Sequence, residues 1–321
     1  MKINRTLILK AIVSLGLIVL VFTRIDIKQV WFRVHYLSLP FVIFALLYYT
    51  GCQWLSSLRW QVVLRSTGYR VSSVFLLSTY FAGMFVNIFL PSSFGGDVYR
   101  VYRVVQKTQD SEAALASVLL ERFMGLAAMT GLGLSVLPLA FKLIGRWDII
   151  LIFIICVVLL VGAVLLVTSP QLLIWVEPWF LKFHLSGLAG RFAKLQILMR
   201  KFARSPRELA LSMGISLLVQ LSIIYYLFLL GQQLKIPISY LELLIFMPIS
   251  IVVTLLPISL GGLGLQEGLW SYLFSTVGIT SEQAVSLSLT FTVLGWILSL
   301  PGSLVLLLDS AKFQSISRND K

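Results

Sequence analysis

The chain has 321 residues, 58% of them hydrophobic and only 12% charged, with a mean hydropathy of +0.94. About half the usual charged fraction is present, too little to cover a water-soluble surface, so an ordinary soluble globule is excluded and a membrane protein remains. The net charge of +13, from 26 Lys and Arg against 13 Asp and Glu, fits cytoplasmic loops beside anionic lipid better than a nucleic-acid partner. Cys52 and Cys156 lie inside apolar runs and His35 and His184 are far apart, so no disulfide framework or metal-ligand spacing is present and no cofactor is expected.

In chain order, the first apolar run, 7–22, follows Lys2 and Arg5 and contains Lys10. No small-residue cleavage site precedes Thr23-Arg24-Ile25-Asp26, so it is expected to be a retained span that starts inside. Further runs follow at 37–58, 71–90, 113–141, 149–167, 209–230, 240–258 and 284–308, most near the roughly 20 residues that cross a bilayer. If all eight cross, the basic residues divide 11 inside and 13 outside, against the positive-inside tendency. If 71–103 and 240–278 instead dip into the membrane and return, the division becomes 18 inside and 6 outside, with Lys10 and Arg122 within spans.

The same two segments share a motif. Leu90-Pro91-Ser92-Ser93-Phe94-Gly95-Gly96 and Leu256-Pro257-Ile258-Ser259-Leu260-Gly261-Gly262 both read L-P-x-S-x-G-G, 166 residues apart. Proline breaks the helical ladder and paired glycines allow backbone shapes closed to other residues, so each run should break there; Gly264 extends the second break. The expected fold is all-α and polytopic, with six full transmembrane helices and two re-entrant helical hairpins in an inverted repeat. The first repeat spans 1–145 (spans 7–22, 37–58 and 113–141, re-entrant 71–103). The second spans 146–321 (spans 149–167, 209–230 and 284–308, re-entrant 240–278). Inverted repeats with broken helices are a transporter architecture; packing kinks in ordinary spans are the alternative for both motifs.

Between the repeats, 170–207 carries seven Lys or Arg, with Leu188, Phe192, Leu195, Met199 and Phe202 at helical spacing. It is expected as an amphipathic helix on the cytoplasmic surface, with Trp175 and Trp179 at headgroup depth. Ser205-Pro206-Arg207-Glu208 has the pattern of a capping box with proline at the first helical position, and Thr280-Ser281-Glu282-Gln283 of a second box.

Intramembrane charges mark three candidate sites, since an ionisable group in hydrocarbon is costly without a partner or a task. Around the first break, Asn87 precedes Asp97, Arg100 and Arg103. There Asp97 is expected to cap the returning helix while the arginines grip a phosphate; an Asp97 cap paired to Arg100 with no ligand fits equally. Glu121 and Arg122 form the second site, inside a span. Adjacent residues point about 100° apart, so each needs its own partner, with Asp97 or a lipid phosphate the preferred one for Arg122 and a structural pair the alternative. Glu267, after the second break, stands without the basic residues of the first motif, offering a carboxylate to a cation or proton, or merely starting a helix. No G-x-S-x-G, H-E-x-x-H, zinc-spaced cysteine pair or phosphate loop is present.

Asn87 to Arg103, Leu120-Glu121-Arg122 and Pro257 to Glu267 together resemble the membrane region of lysylphosphatidylglycerol synthase/flippase proteins, over essentially the whole chain. The resemblance implies movement of a lipid between leaflets, with aminoacylated phosphatidylglycerol, polyprenyl-linked sugars or hopanoid lipids as substrates in relatives. Two-part members carry a soluble aminoacyl-transferase domain after the last span. None follows Asp309 here, so synthesis of lysyl-lipid is not expected of this chain.

The expected function is translocation of an amphiphilic lipid with a phosphate headgroup through a cavity between the hairpins. Asp97, Arg100 and Arg122 would contact or organise the headgroup, and the glycines would let the backbone approach it. Expected partners are membrane lipids with anionic or phosphate headgroups, and the expected location is the cell membrane with both termini cytoplasmic. The alternatives are a membrane glycosyltransferase acting on a polyprenyl phosphate, with Asp97 or Glu267 as acid or base, and a non-transporting partner of a separate lipid-modifying enzyme.

Overall fold

The computed structural model describes residues 27–89, 95–144, 147–168, 186–255 and 264–309. The expected span 7–22, the break residues Pro91, Pro257, Gly261 and Gly262, and the stretch 170–185 lie outside them. Among the described residues every regular element is an α-helix: α1 Ile27–Val34, α2 Leu39–Thr67, α3 Ser73–Phe89, α4 Gly95–Thr108, α5 Ser111–Ile144, α6 Trp147–Thr168, α7 Ser186–Ala203, α8 Pro206–Gln233, α9 Tyr240–Leu255, α10 Leu265–Ser275 and α11 Ser281–Ser299. The last helix carries on to Asp309 after a turn at Leu300.

Among the described residues, four helices are long and apolar enough to cross a membrane: α2, α5 over Ser111–Pro138, α8, and α11 over Ser281–Asp309. Over their described residues, α3 (17 residues) and α9 (16) are shorter apolar helices. α4 and α10 are shorter still, with 14 and 11 residues.

Local chemistry sets the ends. Ser38 caps α2 by accepting the Phe41 N–H, and Gly68, at φ 105°, closes it in the left-handed shape that glycine tolerates. Thr280 and Gln283 form the expected capping box before α11. Pro206 is the first residue of α8 as expected, but the Ser205 box does not form. Its hydroxyl instead donates to the Lys201 carbonyl at 2.9 Å, completing the end of α7 rather than the start of α8.

Side-chain contacts give each helix its direction. Arg59 meets Ser216, Tyr48 meets Tyr225, and Tyr49 meets Tyr226, so α2 and α8 run antiparallel. α3 and α4 fold back on each other: Asn87 meets Gly96, Tyr80 meets Arg100, and Ser78 and Thr79 meet Arg103. The loops flanking this fold-back lie together, for the Tyr69 hydroxyl donates to Asp110 at 3.1 Å. Lys194 of α7 reaches Glu112 at 3.2 Å, placing α7 at the same end of the molecule, together with Arg65, Arg70, Lys107 and Arg204. We call this the basic end.

α8 leads away from it and finishes where the Gln233 amide donates to the Tyr36 carbonyl at 2.7 Å. α9 begins there. α10 leads back there too, because α11 starts six residues after α10 ends and packs Val285 on Val30 of α1. The α9–α10 pair therefore opens at the opposite end from the α3–α4 pair.

The core follows this plan. Its largest cluster joins α8, α9, α10 and α11 through Tyr226, Phe246, Trp270 and Phe274, and smaller clusters lie around Trp60 and around Phe202. Leu195, Met199 and Phe202 of α7, expected on a lipid-facing surface, are buried against Val63, Leu120 and Met124 of α2 and α5. The ends of these helices offer α7 an apolar surface that protein covers before lipid does. The side chains of Leu188 and Phe192 lie outside the described residues.

Candidate functional site

α4 inverts the polarity of a helix in water. Asp97, Arg100 and Arg103, at i, i+3 and i+6, share one face and are 9%, 6% and 8% exposed, whereas Val98 and Tyr102 face outward. A helix with charges inside and apolar residues outside is built for lipid surroundings and needs its partners within the protein.

They are supplied by α2 and α5. Glu121, 2% exposed, accepts from Arg59 on one carboxylate oxygen and from Arg100 on the other at 3.0 Å. Arg100 also donates to Asp97 at 3.1 Å, and its guanidinium lies over both the Trp60 and the Tyr80 ring, 4.2 and 4.0 Å from their centroids. The second Asp97 oxygen is held by Arg122, whose side chain remains 25% exposed. Glu121 and Arg122 thus take separate partners, as adjacent helical residues must. Asp97 does not cap α4 as expected. It lies inside the helix, in its first turn, and the Gly96 N–H is taken instead by the Asn87 side chain across the fold-back, at 2.6 Å.

The two arms of the fold-back touch because Gly83 faces Gly96. A methyl group on Gly96 would collide with the Gly83 carbonyl oxygen, backbone against backbone. The close approach lets Arg100 reach Glu121 past α3. Gly95 is likewise buried at the start of α4.

Arg59 does not belong in the cytoplasmic loop where the charge count put it. The apolar run ends at Leu58, but the helix continues to Thr67 and buries Arg59 to 6%. Asp309, which binds Arg103 at 2.9 Å, also escapes a reading of the motifs, as do the ring faces of Trp60 and Tyr80. Gly68, a glycine of the kind that closes helices in the left-handed shape, is the signal that would have extended α2 past Leu58 and found Arg59.

The second fold-back repeats this geometry without the charge. Glu267 lies in the first turn of α10, as Asp97 does in α4, and Trp270 follows it by three residues as Arg100 follows Asp97. Phe291 is the eleventh residue of α11 where α5 has Glu121, and Tyr226 is the twenty-first of α8 where α2 has Arg59. The contacts correspond: Phe291 meets Tyr226 and Trp270 with ring centroids 6.1 and 6.3 Å apart, as Glu121 meets Arg59 and Arg100. Glu267, 3% exposed, takes the Gly264 N–H at 2.7 Å and the Ser288 hydroxyl at 3.1 Å, with Gly264 at φ 79°. It is pinned to its own helix start rather than standing alone.

At the basic end, Asp110 caps α5. The Ala113 N–H, the Tyr69 hydroxyl and Lys194 hold its carboxyl below the ordinary carboxylate range. No group of three or more His, Cys, Asp or Glu suited to a metal occurs among the described residues.

Residues 7–302 match the family described as "Lysylphosphatidylglycerol synthase TM region". The chain is also 24% identical over 298 residues to the UPF0104 membrane protein PH1989 of Pyrococcus horikoshii, covering 84% of this chain and 87% of that protein.

Proposed function

The chain belongs to the lysylphosphatidylglycerol synthase TM region family, and on that premise we propose that it moves an amphiphilic lipid with a phosphate headgroup between leaflets. The observation that carries this is the buried ion cluster of α2, α4 and α5. Among the described residues three guanidiniums, Arg59, Arg100 and Arg122, stand against two carboxylates, Asp97 and Glu121, and the Arg122 side chain is 25% exposed. An excess positive charge held in an apolar protein attracts an anion, and a guanidinium fork suits phosphate.

In this reading Arg122 contacts the headgroup, while Arg59, Asp97, Arg100 and Glu121 orient it. Asn87, Gly95 and Gly96 hold the fold-back that carries them, and Arg103 binds anions nearer the basic end. Glu267, with Gly264, belongs to the counterpart fold-back, which has no guanidinium at the matching positions and bars an anionic headgroup. The two fold-backs are re-entrant hairpins among six full crossings, in inverted repeats 1–145 and 146–321. Their opening at opposite ends and the matched positions of the ionic and aromatic triads support this. The basic end faces the cytoplasm, with both termini, by the positive-inside tendency.

The test is purified protein in vesicles with fluorescent phosphatidylglycerol and a quencher on one side. Transport without any nucleotide-sugar is expected. Arg122→Gln should slow it roughly tenfold or more, the worth of one charge-assisted hydrogen bond. Normal transport by that variant would remove the headgroup role. Absence of transport together with consumption of a nucleotide-sugar would replace the reading by an enzymatic one, and neither activity would point to a partner subunit.

A further inference from the structure

Arg103 lies one turn nearer the basic end than Arg100 and is bound differently. Its Nε lies 2.9 Å from Asp309 Oδ2 in an ion pair, and its Nη1 donates to the Ser78 and Thr79 hydroxyls at 3.2 Å each. Its guanidinium lies over the Phe75 ring, 4.7 Å from the centroid. The Tyr99 hydroxyl donates to the same Asp309 oxygen at 2.8 Å. A guanidinium backed by two hydroxyls, with a phenol alongside, is an anion seat, and the anion in it is a carboxylate from the far end of α11.

The two members of the pair differ in exposure. The Arg103 side chain is 10% exposed and that of Asp309 is 23%. Arg103 keeps Ser78, Thr79 and Phe75 if Asp309 leaves, so the seat stays formed without its occupant. Asp309 belongs to the last described turn of a helix that touches the fold-back along one seam, where Gly302 lies against the Phe81 backbone. The pair closes that seam on the basic-end side of the ion cluster.

We propose that Asp309 is a displaceable occupant of this seat. A phosphate group arriving from the basic end takes its place on Arg103, and the end of α11 parts from α4, opening a way to the Arg122 cluster. The proposal rests on the lipid-transport reading for the source of that phosphate; the displacement itself requires only an anion.

The test is a labelling rate, which needs no transport. Ala82→Cys, a buried position of α3 beside Gly302 on the seam, is introduced with Cys52 and Cys156 replaced by alanine, and the protein is treated with a membrane-impermeant maleimide in vesicles of phosphatidylcholine, of phosphatidylglycerol, or of phosphatidylcholine with added inorganic phosphate. Slow labelling is expected in phosphatidylcholine, and labelling about tenfold faster in phosphatidylglycerol, the scale of a partly buried ion pair. Asp309→Asn should label fast in all three, and Asp309→Glu should restore the slow rate and its dependence on lipid. Acceleration by inorganic phosphate as well as by phosphatidylglycerol supports displacement with a soluble anion as a competent source. The proposal is overturned if neither anion speeds labelling of the parent, or if Asp309→Asn leaves the rate unchanged. A protein that labels as expected but moves no lipid counts against the transport reading and not against this one.

Discussion

Glu121→Gln isolates the energetic centre of the ion cluster. The substitution preserves shape and volume but leaves three guanidiniums facing one carboxylate, Asp97. Removing one partner of a buried ion pair costs about 3–5 kcal/mol, because the remaining charge is left in a low dielectric. Arg100 is cushioned, for it keeps Asp97 at 3.1 Å and the faces of Trp60 and Tyr80. Among the described residues Arg59 keeps only hydroxyls, that of Ser216 at 3.3 Å and the neighbouring one of Tyr80. The loss should therefore fall on Arg59 and sit near the lower bound, about 3 kcal/mol.

Arg59→Met tests that assignment. It should be destabilising alone, yet Arg59→Met with Glu121→Gln should cost less than the two losses added, with a coupling of about 1–3 kcal/mol. The assay is unfolding in detergent micelles by titration with a denaturing surfactant, followed by far-ultraviolet circular dichroism. A Glu121→Gln loss below about 1 kcal/mol, or losses that add to within about 0.5 kcal/mol, would refute the reasoning.

The aromatic triad supplies a further test. Replacing Arg59, Glu121 and Arg100 together by the counterparts in the other half, Tyr, Phe and Trp, should leave a folded protein within about 2 kcal/mol of the parent, since apolar groups commonly replace a buried ion triad at little cost. That variant should move no anionic lipid; retained transport in vesicles would contradict the role given to the cluster. Gly96→Ala should lower stability by about 1–3 kcal/mol in the same unfolding assay, because the added methyl meets the Gly83 backbone; a neutral result would mean the fold-back arms are not in contact. Asp110→Ala should cost about 1 kcal/mol as a lost helix cap, measured the same way. The Asp110 carboxyl is held below its ordinary range in the folded chain, so its stabilisation is complete above the unfolded value of about 3.9 and fades as pH falls through the lowered folded value. Hydrogen exchange at Ala113 should quicken over that acid interval in the parent and show no such step in Asp110→Ala.

Much of the fold was legible because its causes are local. Apolar length and the box at Thr280 each follow from residues a few positions apart. The pairing of Arg122 with Asp97 was also accessible, since an ionisable residue within a span must find a partner and few exist. Asp97 as a cap was a local inference that failed because two arginines and a tertiary amide, Asn87, outcompeted it. The surface helix at 186–203 was recognised by its spacing, yet what covers its apolar face depended on helices more than 60 residues away in the chain.

Taken by itself, the amino-acid order determined that this protein is an all-helical membrane protein, and that two of its apolar runs carry the same interrupting motif. Only the tertiary structure decided that Arg59 is a buried partner of Glu121, 62 residues distant, and that Tyr99 and Asp309 meet across 210 residues. It also decided that an ionic triad in one half has an aromatic image in the other. The reason is physical: hydrophobicity, proline and glycine act on the chain next to them, whereas a charge or a ring in a water-poor interior is satisfied by whichever group packing brings within a few ångströms.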